Sequence, residues 1–299
     1  MERYKHLNSF LKEKFGERTL KICVDGGFTC PNRDGSKGTC GCIFCGASGS
    51  GENIKFKNIK EQVKNHLNSY RGQRANKFIV YFQNFSNTYD TVEVLKEKYN
   101  SALIDKRIVG LAVATRPDCI TEEVAKLLFG FSKKIYVCVE LGLQTSNEKT
   151  GELINRAHNN EDFSNAVKIL NKYNIDIVSH IMLGLPNETI EDVKNTVDFL
   201  NSHNLSGIKI HCTYVIKNTK LEKMYKAGEY VPLSFEEFME QLVFVITHIS
   251  PNFVIHRITA DPPKELLIAP NFLTHKKWVL NGLDKILREN DLYQGIFYN

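Results

Sequence analysis

The alternation of short apolar runs with amphipathic stretches constrains the fold of this chain more than any other feature of its sequence. Seven runs of strand length are predicted strands: Thr19–Val24, Phe78–Gln83, Val109–Arg116, Ile135–Gln144, Asp176–Leu185, Gly207–Ile216 and Phe253–Ala260. Seven amphipathic stretches are predicted helices: Ser9–Phe15, Ile59–Tyr70, Thr91–Leu103, Thr121–Lys133, Asp162–Tyr173, Ile190–His203 and Phe235–Ile249. Repeated strand–helix units with right-handed crossovers build a parallel sheet. Because strands of barrels and of doubly wound sheets are both buried on two faces, the runs alone do not separate these folds.

Length and composition allow one large core. The chain has 299 residues, of which 42% are hydrophobic and 24% are charged, as in ordinary globular proteins. Seven parallel strands suffice for a full or partial (β/α) barrel, an α/β fold that is common at this length. We predict an N-terminal helical segment at residues 1–17, the barrel core at residues 18–250, and a C-terminal strand-and-helix extension at residues 251–299 that packs on the barrel.

Neither a membrane span nor a secretion signal is predicted. No apolar run approaches the roughly 20 residues that cross a bilayer, and the N-terminal stretch MERYKHLNSF has no apolar signal-peptide core. We therefore predict a cytoplasmic protein without a membrane partner. The net charge of +5 is compatible with an anionic partner but does not identify one.

The polar residues of the predicted strands share one face and lie near one end. Lys209 and His211 alternate with apolar residues in the sixth run, and Glu140 and Gln144 do so in the fourth. The second and third runs end in polar residues, Gln83 and Arg116. A polar face on a buried strand is costly unless it lines a cavity or meets partners. The pattern predicts a polar lumen open at the C-terminal strand ends, where barrel active sites lie; satisfied structural hydrogen bonds are the alternative.

Cysteines cluster between the first two predicted strands. Four of the eight lie close together, at Cys30, Cys40, Cys42 and Cys45. Thiolates this close on a glycine-rich loop are typical of a soft-metal site. Disulfides are disfavoured in a reducing compartment; a closed zinc site would use four thiolates, and an iron–sulfur cubane held by three would leave one iron open. A loop after the first strand lies at the same end of the predicted barrel as the polar strand ends, and we name this end the rim. This position favours a reactive cluster over a structural zinc site.

With these motifs in place, the chain resembles the radical S-adenosylmethionine (SAM) superfamily, and within it the YtqA/YhcC-type subgroup, a relative of the catalytic subunit of Elongator. The resemblance covers nearly the whole chain. It is carried by residues 24–27 (VDGG), 30–35 (CPNRDG), 41–45 (GCIFC), 114–118 (ATRPD), 140–145 (ELGLQT), 154–158 (INRAH), 184–189 (GLPNET), 208–211 (IKIH) and 256–259 (HRIT). Each motif alone is weak, and their common order makes the resemblance specific.

The resemblance implies a [4Fe–4S] cluster held by three cysteines, with SAM on the fourth iron and its cleavage to a 5′-deoxyadenosyl radical. Carried over by motif, the ligands are Cys30, Cys42 and Cys45. Cys40 stands where the family usually has another residue, often glycine, and we predict no metal role for it. Cys30 and Cys40 form an alternative pair, although the shorter spacing of Cys42 and Cys45 makes the tighter chelate.

The resemblance also assigns the lumen residues. By position, Gln83 meets the methionine amino group of SAM, Glu140 and Gln144 contact its ribose or carboxylate, and the backbone of Gly184, Leu185 and Pro186 lies beside adenine. Four residues are left for the substrate or the SAM carboxylate: Arg116, Lys209, His211 and Arg257. The alternative is that these four form ion pairs inside the barrel with Glu140 or Asp118. The remaining cysteines are predicted core residues: Cys23, Cys119, Cys138 and Cys212.

The Elongator relationship implies a transfer RNA (tRNA) substrate, because that relative modifies the wobble uridine. The subgroup is connected with a different wobble step, in which a carboxymethylaminomethyl group on uridine C5 is trimmed to aminomethyl. An electron donor such as flavodoxin or ferredoxin is also implied. The alternatives are a radical enzyme that acts on a small molecule or peptide, and a non-catalytic iron–sulfur or zinc protein.

A basic segment is a candidate RNA contact. Residues 57–77 carry six lysines and arginines, beginning with Lys57, against the single acid Glu61. Four of them form what we name the basic strip: Lys60, Lys64, Arg71 and Arg74. Such a strip suits phosphate contacts, and a solvated helix face is the alternative.

Overall fold

A seven-stranded parallel sheet dominates the computed structural model of the protein, which describes residues 2–49 and 58–298. The sheet contains β1 (Thr19–Val24), β2 (Lys77–Phe82), β3 (Ile108–Thr115), β4 (Tyr136–Gln144), β5 (Asp176–Leu183), β6 (Gly207–Cys212) and β8 (Val254–Arg257), in that spatial order. Two short strands, β7 (Val215–Ile216) and β9 (Leu267–Ala269), form a separate antiparallel ribbon. The predicted α/β fold is confirmed, and the sheet curls into a partial barrel.

Helices follow the strands along the chain. They are α1 (Leu7–Phe15), α2 (Ile59–Asn68), α3 (Val92–Ala102), α4 (Glu122–Ser132), α5 (Glu148–Leu153), α6 (Asn160–Asn171), α7 (Ile190–Asn201), α8 (Lys220–Lys226), α9 (Phe235–His248) and α10 (Lys276–Glu289). Capping boxes start α7 at Thr189 and α9 at Ser234, as their sequence spacing predicts. Within the described ranges, no helix combines the length and apolar character that a membrane crossing requires.

The main core lies between the outer face of the sheet and the helices. The ring of Phe82 on β2 packs edge-on against Tyr99 on α3, with centroids 5.3 Å apart, and both side chains are fully buried. Burial of such aromatic pairs stabilises the outer layer. The packed outer layer therefore supports the sheet, whose inner face carries the side chains of the lumen.

A smaller apolar cluster closes the N-terminal end of the lumen. Leu11 of α1 packs there with inward residues of successive strands, including Ile79, Ala112 and Val178. The segment before α1 also covers the β8 edge, because the Ile255 N–H donates to the Lys5 carbonyl at 2.8 Å. With its lower end filled, the lumen is accessible from the C-terminal strand ends.

The sixth predicted strand was too long. The run Gly207–Ile216 divides into β6, which stays in the main sheet, and β7, which pairs with β9. The split follows Cys212, where the Thr213 N–H still donates to the Leu183 carbonyl at 2.9 Å before the chain leaves the sheet. The domain boundaries at residues 17 and 250 stay predictions, and β8 joins the main sheet through β6.

Candidate active site

One cavity occupies the lumen above the α1 cluster. Its volume is about 360 Å³, which lies in the range of small-molecule sites. Ten residues predicted from the sequence line it: Cys30, Cys42, Cys45, Gln83, Arg116, Glu140, Gln144, Lys209, His211 and Arg257. The structure thus brings the predicted cluster ligands and lumen residues together, on loops and strands that are far apart in the chain. Their individual roles stay predictions.

The segment predicted to lie beside adenine, residues 184–186, packs against the cysteine loop through Leu185. The Gly184 carbonyl accepts a hydrogen bond from the Tyr230 hydroxyl at 2.7 Å. Leu185 is buried in a small apolar cluster with Ile43 and Ile154, and Pro186 is buried as well. Contact with adenine stays a prediction for this segment.

Three cysteine side chains face the cavity and the fourth lies outside. Cys30, Cys42 and Cys45 belong to the cavity lining, whereas Cys40 is exposed. The hydrogen bond between Cys42 and Cys45 lowers the pKa of Cys42, which the charges of Arg116 and Arg33 lower further, and it raises the pKa of Cys45. A lowered thiol pKa favours the thiolate, which is the form that binds metal.

The cysteine loop is fixed by two asparagine side chains that donate hydrogen bonds to backbone carbonyls. Asn32 Nδ2 donates to the Asn155 carbonyl at 2.6 Å, and Asn155 Nδ2 donates to the Gly41 carbonyl at 2.8 Å. Gly41 has a φ of +69°, and a Cβ there would lie 2.7 Å from Arg33 Nε. Gly41 is therefore required by both backbone conformation and space. The motif at residues 154–158 thus helps to position the cysteine loop.

Arg116 and Arg156 hold the rim by bonding to backbone carbonyls. The Arg116 guanidinium donates to the carbonyls of Arg156 and Ala157, both at 2.7 Å, and makes a two-pronged ion pair with Asp118 at 2.9 and 2.8 Å. Fully buried Arg156 donates to the Leu143 carbonyl at 2.8 Å. These contacts match the ion-pair alternative for Arg116, although it also lines the cavity.

The rim fits a [4Fe–4S] cluster. Among residues 2–49 and 58–298, no three His, Cys, Asp or Glu side chains converge closely enough to hold a single metal ion. A cubane does not need such convergence, because each thiolate binds a different iron atom. Asn32 Nδ2 lies 3.9 Å from Cys42 Sγ, an outer contact of the kind that tunes cluster thiolates. Cys30, Cys42 and Cys45 would hold the cluster.

The deep end of the cavity is built on a buried carboxylate. Glu140 is 0% exposed, and its oxygens accept hydrogen bonds from Lys21, from Lys209 at 2.9 Å and from His180 Nε2 at 2.6 Å. Lys209 also donates to the Tyr81 hydroxyl at 3.1 Å. We name these five residues the floor. Glu140 therefore holds the side chains of Lys21, Lys209 and His180 in place. Its contact with SAM stays a prediction.

The histidines around the floor are neutral at pH 7. Burial lowers the pKa of His180 and of His256 to about 4, and it lowers that of His211 well below its usual value. His211 Nε2 is buried without a hydrogen-bond partner among the described residues. An unpaired buried ring nitrogen is costly unless a ligand meets it. His211 is therefore placed to contact a bound molecule.

A second group of charges lies on the β8 side of the cavity, from Arg257, the register partner of Lys209, to the more exposed Asp261 and Lys276. Arg257 Nη2 lies 3.5 Å from Asp261 Oδ2, and Lys276 Nζ lies 2.6 Å from the same oxygen. Arg257 and Asp261 both line the cavity. One carboxylate thus serves two cations here, as Glu140 does at the floor.

The sequence reasoning missed Lys21, His180 and His256 as site residues. Lys21 stands two positions before Cys23 on the inward face of β1, and His180 stands between Val178 and Met182 on β5. The same period-two argument that found Lys209 and His211 would have found both. His256 begins the motif at residues 256–259, but no site role was predicted for it, and its Nδ1 lies 3.9 Å from Glu140 Oε1.

The basic strip lies on the outer surface. Its four side chains are exposed, and Lys57, which begins the basic segment, falls outside the described residues. The strip starts beside the rim, because Gln62 of α2 exchanges hydrogen bonds of 2.8 Å with the backbone of Asp25 at the end of β1. The Arg74 guanidinium lies 5.3 Å from the ring centre of Tyr70, which is 74% exposed.

Two family profiles match the chain. The Radical SAM superfamily profile matches residues 29–200, and the Radical_SAM C-terminal domain profile matches residues 205–289. The chain is 38% identical to the uncharacterized protein YtqA of Bacillus subtilis, an alignment that covers 99% of this chain and 93% of that protein. The fold and cavity described above therefore occur in a chain whose sequence aligns with these profiles over most of its length.

More distant relatives share part of their length with this chain. A tRNA uridine(34) acetyltransferase of Methanocaldococcus jannaschii is 31% identical over 170 residues, which are 55% of this chain and 30% of that protein. The structure of the archaeal Methanocaldococcus infernus Elp3 with an N-terminal deletion superposes with a TM-score of 0.70 at 19% identity, over 92% of this chain and 64% of that one. At that identity the superposition supports the fold alone.

Proposed function

The chain belongs to the radical SAM superfamily, and on that premise we propose that it modifies the wobble uridine of tRNA. The proposed reaction trims a carboxymethylaminomethyl group on uridine C5 to aminomethyl. The observation that carries the proposal is that three cysteines at the rim and a cationic floor face each other across one cavity. A cluster at the rim and an anionic substrate group at the floor are both accommodated by this arrangement.

When bound, the [4Fe–4S] cluster and SAM that the family implies supply a 5′-deoxyadenosyl radical. The substrate carries a methylene between an amine and a carboxylate. Removal of a hydrogen atom from this methylene, followed by loss of one further electron and of the amine proton, would leave an imine, and SAM, which becomes methionine and 5′-deoxyadenosine, would be the net two-electron oxidant. Water adds to the imine carbon, and the products are aminomethyluridine and glyoxylate. Atoms and electrons balance without a further reagent.

The residues of this chain would orient the substrate and exclude water. The α1 cluster closes the lower end of the lumen, so a side chain that enters from the rim meets Lys209 and His211 in the cavity lining. Neutral imidazole and a buried ammonium are suited to hold a polar group in a fixed orientation. The methylene would then face the rim, where the cysteines lie.

RNA as the partner is supported by the outer surface and by the relatives. Lys60 and Lys64 are exposed on a helix that starts beside the rim. Trp278 is 57% exposed and stacks on His275 at 4.3 Å, next to Lys276, whose ammonium pairs with Asp261 at the mouth. Aromatic rings beside cations suit unpaired bases. The name of one relative, tRNA uridine(34) acetyltransferase, refers to the same nucleoside position.

Nucleoside analysis of tRNA tests the proposal. In cells that lack the gene, carboxymethylaminomethyluridine should accumulate and aminomethyl-derived forms should decline, because the trimming step is absent. Digested tRNA from the deletion strain, the wild type and a complemented strain would be compared by mass spectrometry. Unchanged nucleosides, with SAM cleavage by the purified protein intact, would instead indicate a small-molecule or peptide substrate.

A further inference from the structure

The charges around the cavity do not balance. The floor contains two largely buried cations, Lys21 and Lys209, and one buried carboxylate, Glu140, whereas the partly exposed Arg257 and Lys276 share Asp261. The three nearby histidines are neutral at pH 7. Charges removed from water are normally paired. The excess of positive charge among these described residues therefore indicates an anionic ligand.

Three polar residues of the lumen lie side by side on neighbouring strands. His180, Lys209 and Arg257 are register partners on β5, β6 and β8, so their Cα atoms are separated by about one strand spacing, about 4.8 Å per step. His211 stands two residues further along β6 on the same face. All four residues line the cavity. A small group that enters the lumen would thus meet several donors from neighbouring strands.

Lys209 has bonding capacity left over. An ammonium carries three N–H donors, and the described residues give Lys209 two acceptors, Tyr81 at 3.1 Å and Glu140 at 2.9 Å. The ring nitrogen of His211 is buried and unpartnered among the same residues. The Arg257 side chain is 30% exposed and has one acidic neighbour, at 3.5 Å. All three side chains line the same cavity.

We propose that Lys209, His211 and Arg257 bind a carboxylate of the substrate. The assignment rests on the proposed function, in which the uridine side chain ends in a carboxylate, and it identifies the residues that select this side chain. A carboxylate has one charge and two oxygens, which suits a site that already holds buried Glu140 close by. The second negative charge of a phosphate dianion would exceed the single excess positive charge of the floor.

The SAM carboxylate is the other source of the same chemistry. The family places that group on the cluster, which here belongs at the rim, whereas Lys209 is the third residue of β6 and bonds to the most deeply buried carboxylate of the lumen. Depth in the cavity therefore favours the substrate as the source. The two sources predict different changes in affinity when Lys209 loses its charge.

The test compares binding of two tRNAs to the reconstituted holoenzyme with SAM bound. One tRNA carries carboxymethylaminomethyluridine and the other aminomethyluridine, which lacks the carboxylate. The wild type should prefer the first, and Lys209→Met should reduce that preference about 10- to 100-fold, the range for hydrogen bonds to charged groups. Lys209→Arg should retain part of it. Lys172→Met is the matched control, because it breaks an ion pair with Glu122 on the outer surface.

Three results would overturn the proposal. The preference could survive in Lys209→Met, the affinity for SAM could fall by the same factor as that for tRNA, or the wild type could show no preference while turning over the tRNA. If Lys209→Met does not fold, Arg257→Gln provides the same comparison, because that side chain is partly exposed and its removal leaves no buried charge unpaired at the floor.

A second probe separates failure of this site from failure of the proposed function. N-methylglycine carries the same amine, methylene and carboxylate without the nucleoside, and N-methylethanolamine lacks the carboxylate. Calorimetry should detect binding of the first to the SAM-loaded wild type and not to Lys209→Met. Binding of N-methylglycine without any tRNA turnover would contradict the tRNA proposal and support the carboxylate site. Absence of N-methylglycine binding to an enzyme that turns over tRNA would overturn the site.

Discussion

The rim and the floor of the cavity use similar polar side chains for different purposes. At the rim, Arg116 donates hydrogen bonds to the Ala157 carbonyl and to Asp118, and Asn155 donates to the Gly41 carbonyl. These side chains therefore bond to the loops of the protein itself. Lys209 of the floor keeps a free donor, and His211 beside the floor has an unpartnered ring nitrogen, among the described residues. The polar side chains of the rim are thus engaged by the protein itself, whereas those around the floor are available for the ligand that we propose.

The comparison predicts the largest effect for the rim cysteines. Alanine at Cys30, Cys42 or Cys45 should abolish both cluster assembly and SAM cleavage, because each supplies one of three iron ligands. Iron and sulfide analysis after anaerobic reconstitution, followed by an assay for 5′-deoxyadenosine, would measure both. Cys40→Ala should retain about four irons per chain, as a complete cubane does. Loss of the cluster in Cys40→Ala would contradict the ligand assignment.

A large but different effect is expected for the rim scaffold. Arg116→Gln should lower the free energy of unfolding by about 3–5 kcal/mol, because it breaks a buried ion pair, leaving Asp118 with Lys37 as its remaining cation and two carbonyls without the guanidinium. The change would be measured by urea unfolding of the unreconstituted chain.

Lys37→Gln is the matched control for Arg116. Lys37 pairs with the same Asp118 at 2.5 Å, but its side chain is 44% exposed, so about 0–1 kcal/mol is expected. Unchanged stability in Arg116→Gln together with abolished tRNA turnover would show that Arg116 contacts a ligand and is not part of the scaffold.

The difference between rim and floor also explains what the sequence could predict. The order of strands and helices and the placement of Gln83, Glu140 and Lys209 in one lumen follow from apolar runs and period-two alternation. The role of Arg116 does not follow, because its carbonyl partners belong to a loop about 40 residues away. The pairing of Lys21 with Glu140 requires two strands that are not neighbours in the sheet, and no local pattern reports such a contact.

We expect kcat/KM for tRNA to depend on pH through the protonation of Lys209 at the floor. Burial lowers the pKa of Lys209 to about 8, and Arg257 and Lys21 oppose its charge further, while Glu140 favours it. The other titratable groups around it are Tyr81, His180, His211 and His256. A carboxylate binds the protonated form, so kcat/KM for tRNA should be highest below pH 8 and fall as the pH rises through that value.

Two comparisons sharpen this expectation. A bound carboxylate favours the charged ammonium, so kcat should decline only at a higher pH than kcat/KM. Lys209→Arg should not show the decline in kcat/KM, because a guanidinium stays protonated throughout this range. A wild-type profile without any decline between pH 7.5 and about 9, on either side of this pKa, would contradict a charged Lys209 at the floor.

A smaller effect is expected on the outer surface. Reversing the charges of Lys60 and Lys64 should weaken tRNA binding and reduce the dependence of log affinity on log salt by about 0.7–0.9 for each phosphate that the variant no longer neutralises. Binding would be measured at several salt concentrations. The matched control is reversal of Lys223 and Lys226 on α8, and equal effects of the two pairs would indicate a general response to net charge.

The most direct test of the central claim follows the hydrogen atom that leaves the substrate. Transfer RNA with deuterium on the methylene of its carboxymethylaminomethyluridine would be incubated with the reconstituted protein, SAM and a reductant. The account predicts that 5′-deoxyadenosine gains one deuterium for each aminomethyluridine formed, because abstraction occurs at the carbon beside the carboxylate. Unlabelled 5′-deoxyadenosine alongside the product, or SAM cleavage without any change in the nucleoside, would contradict it.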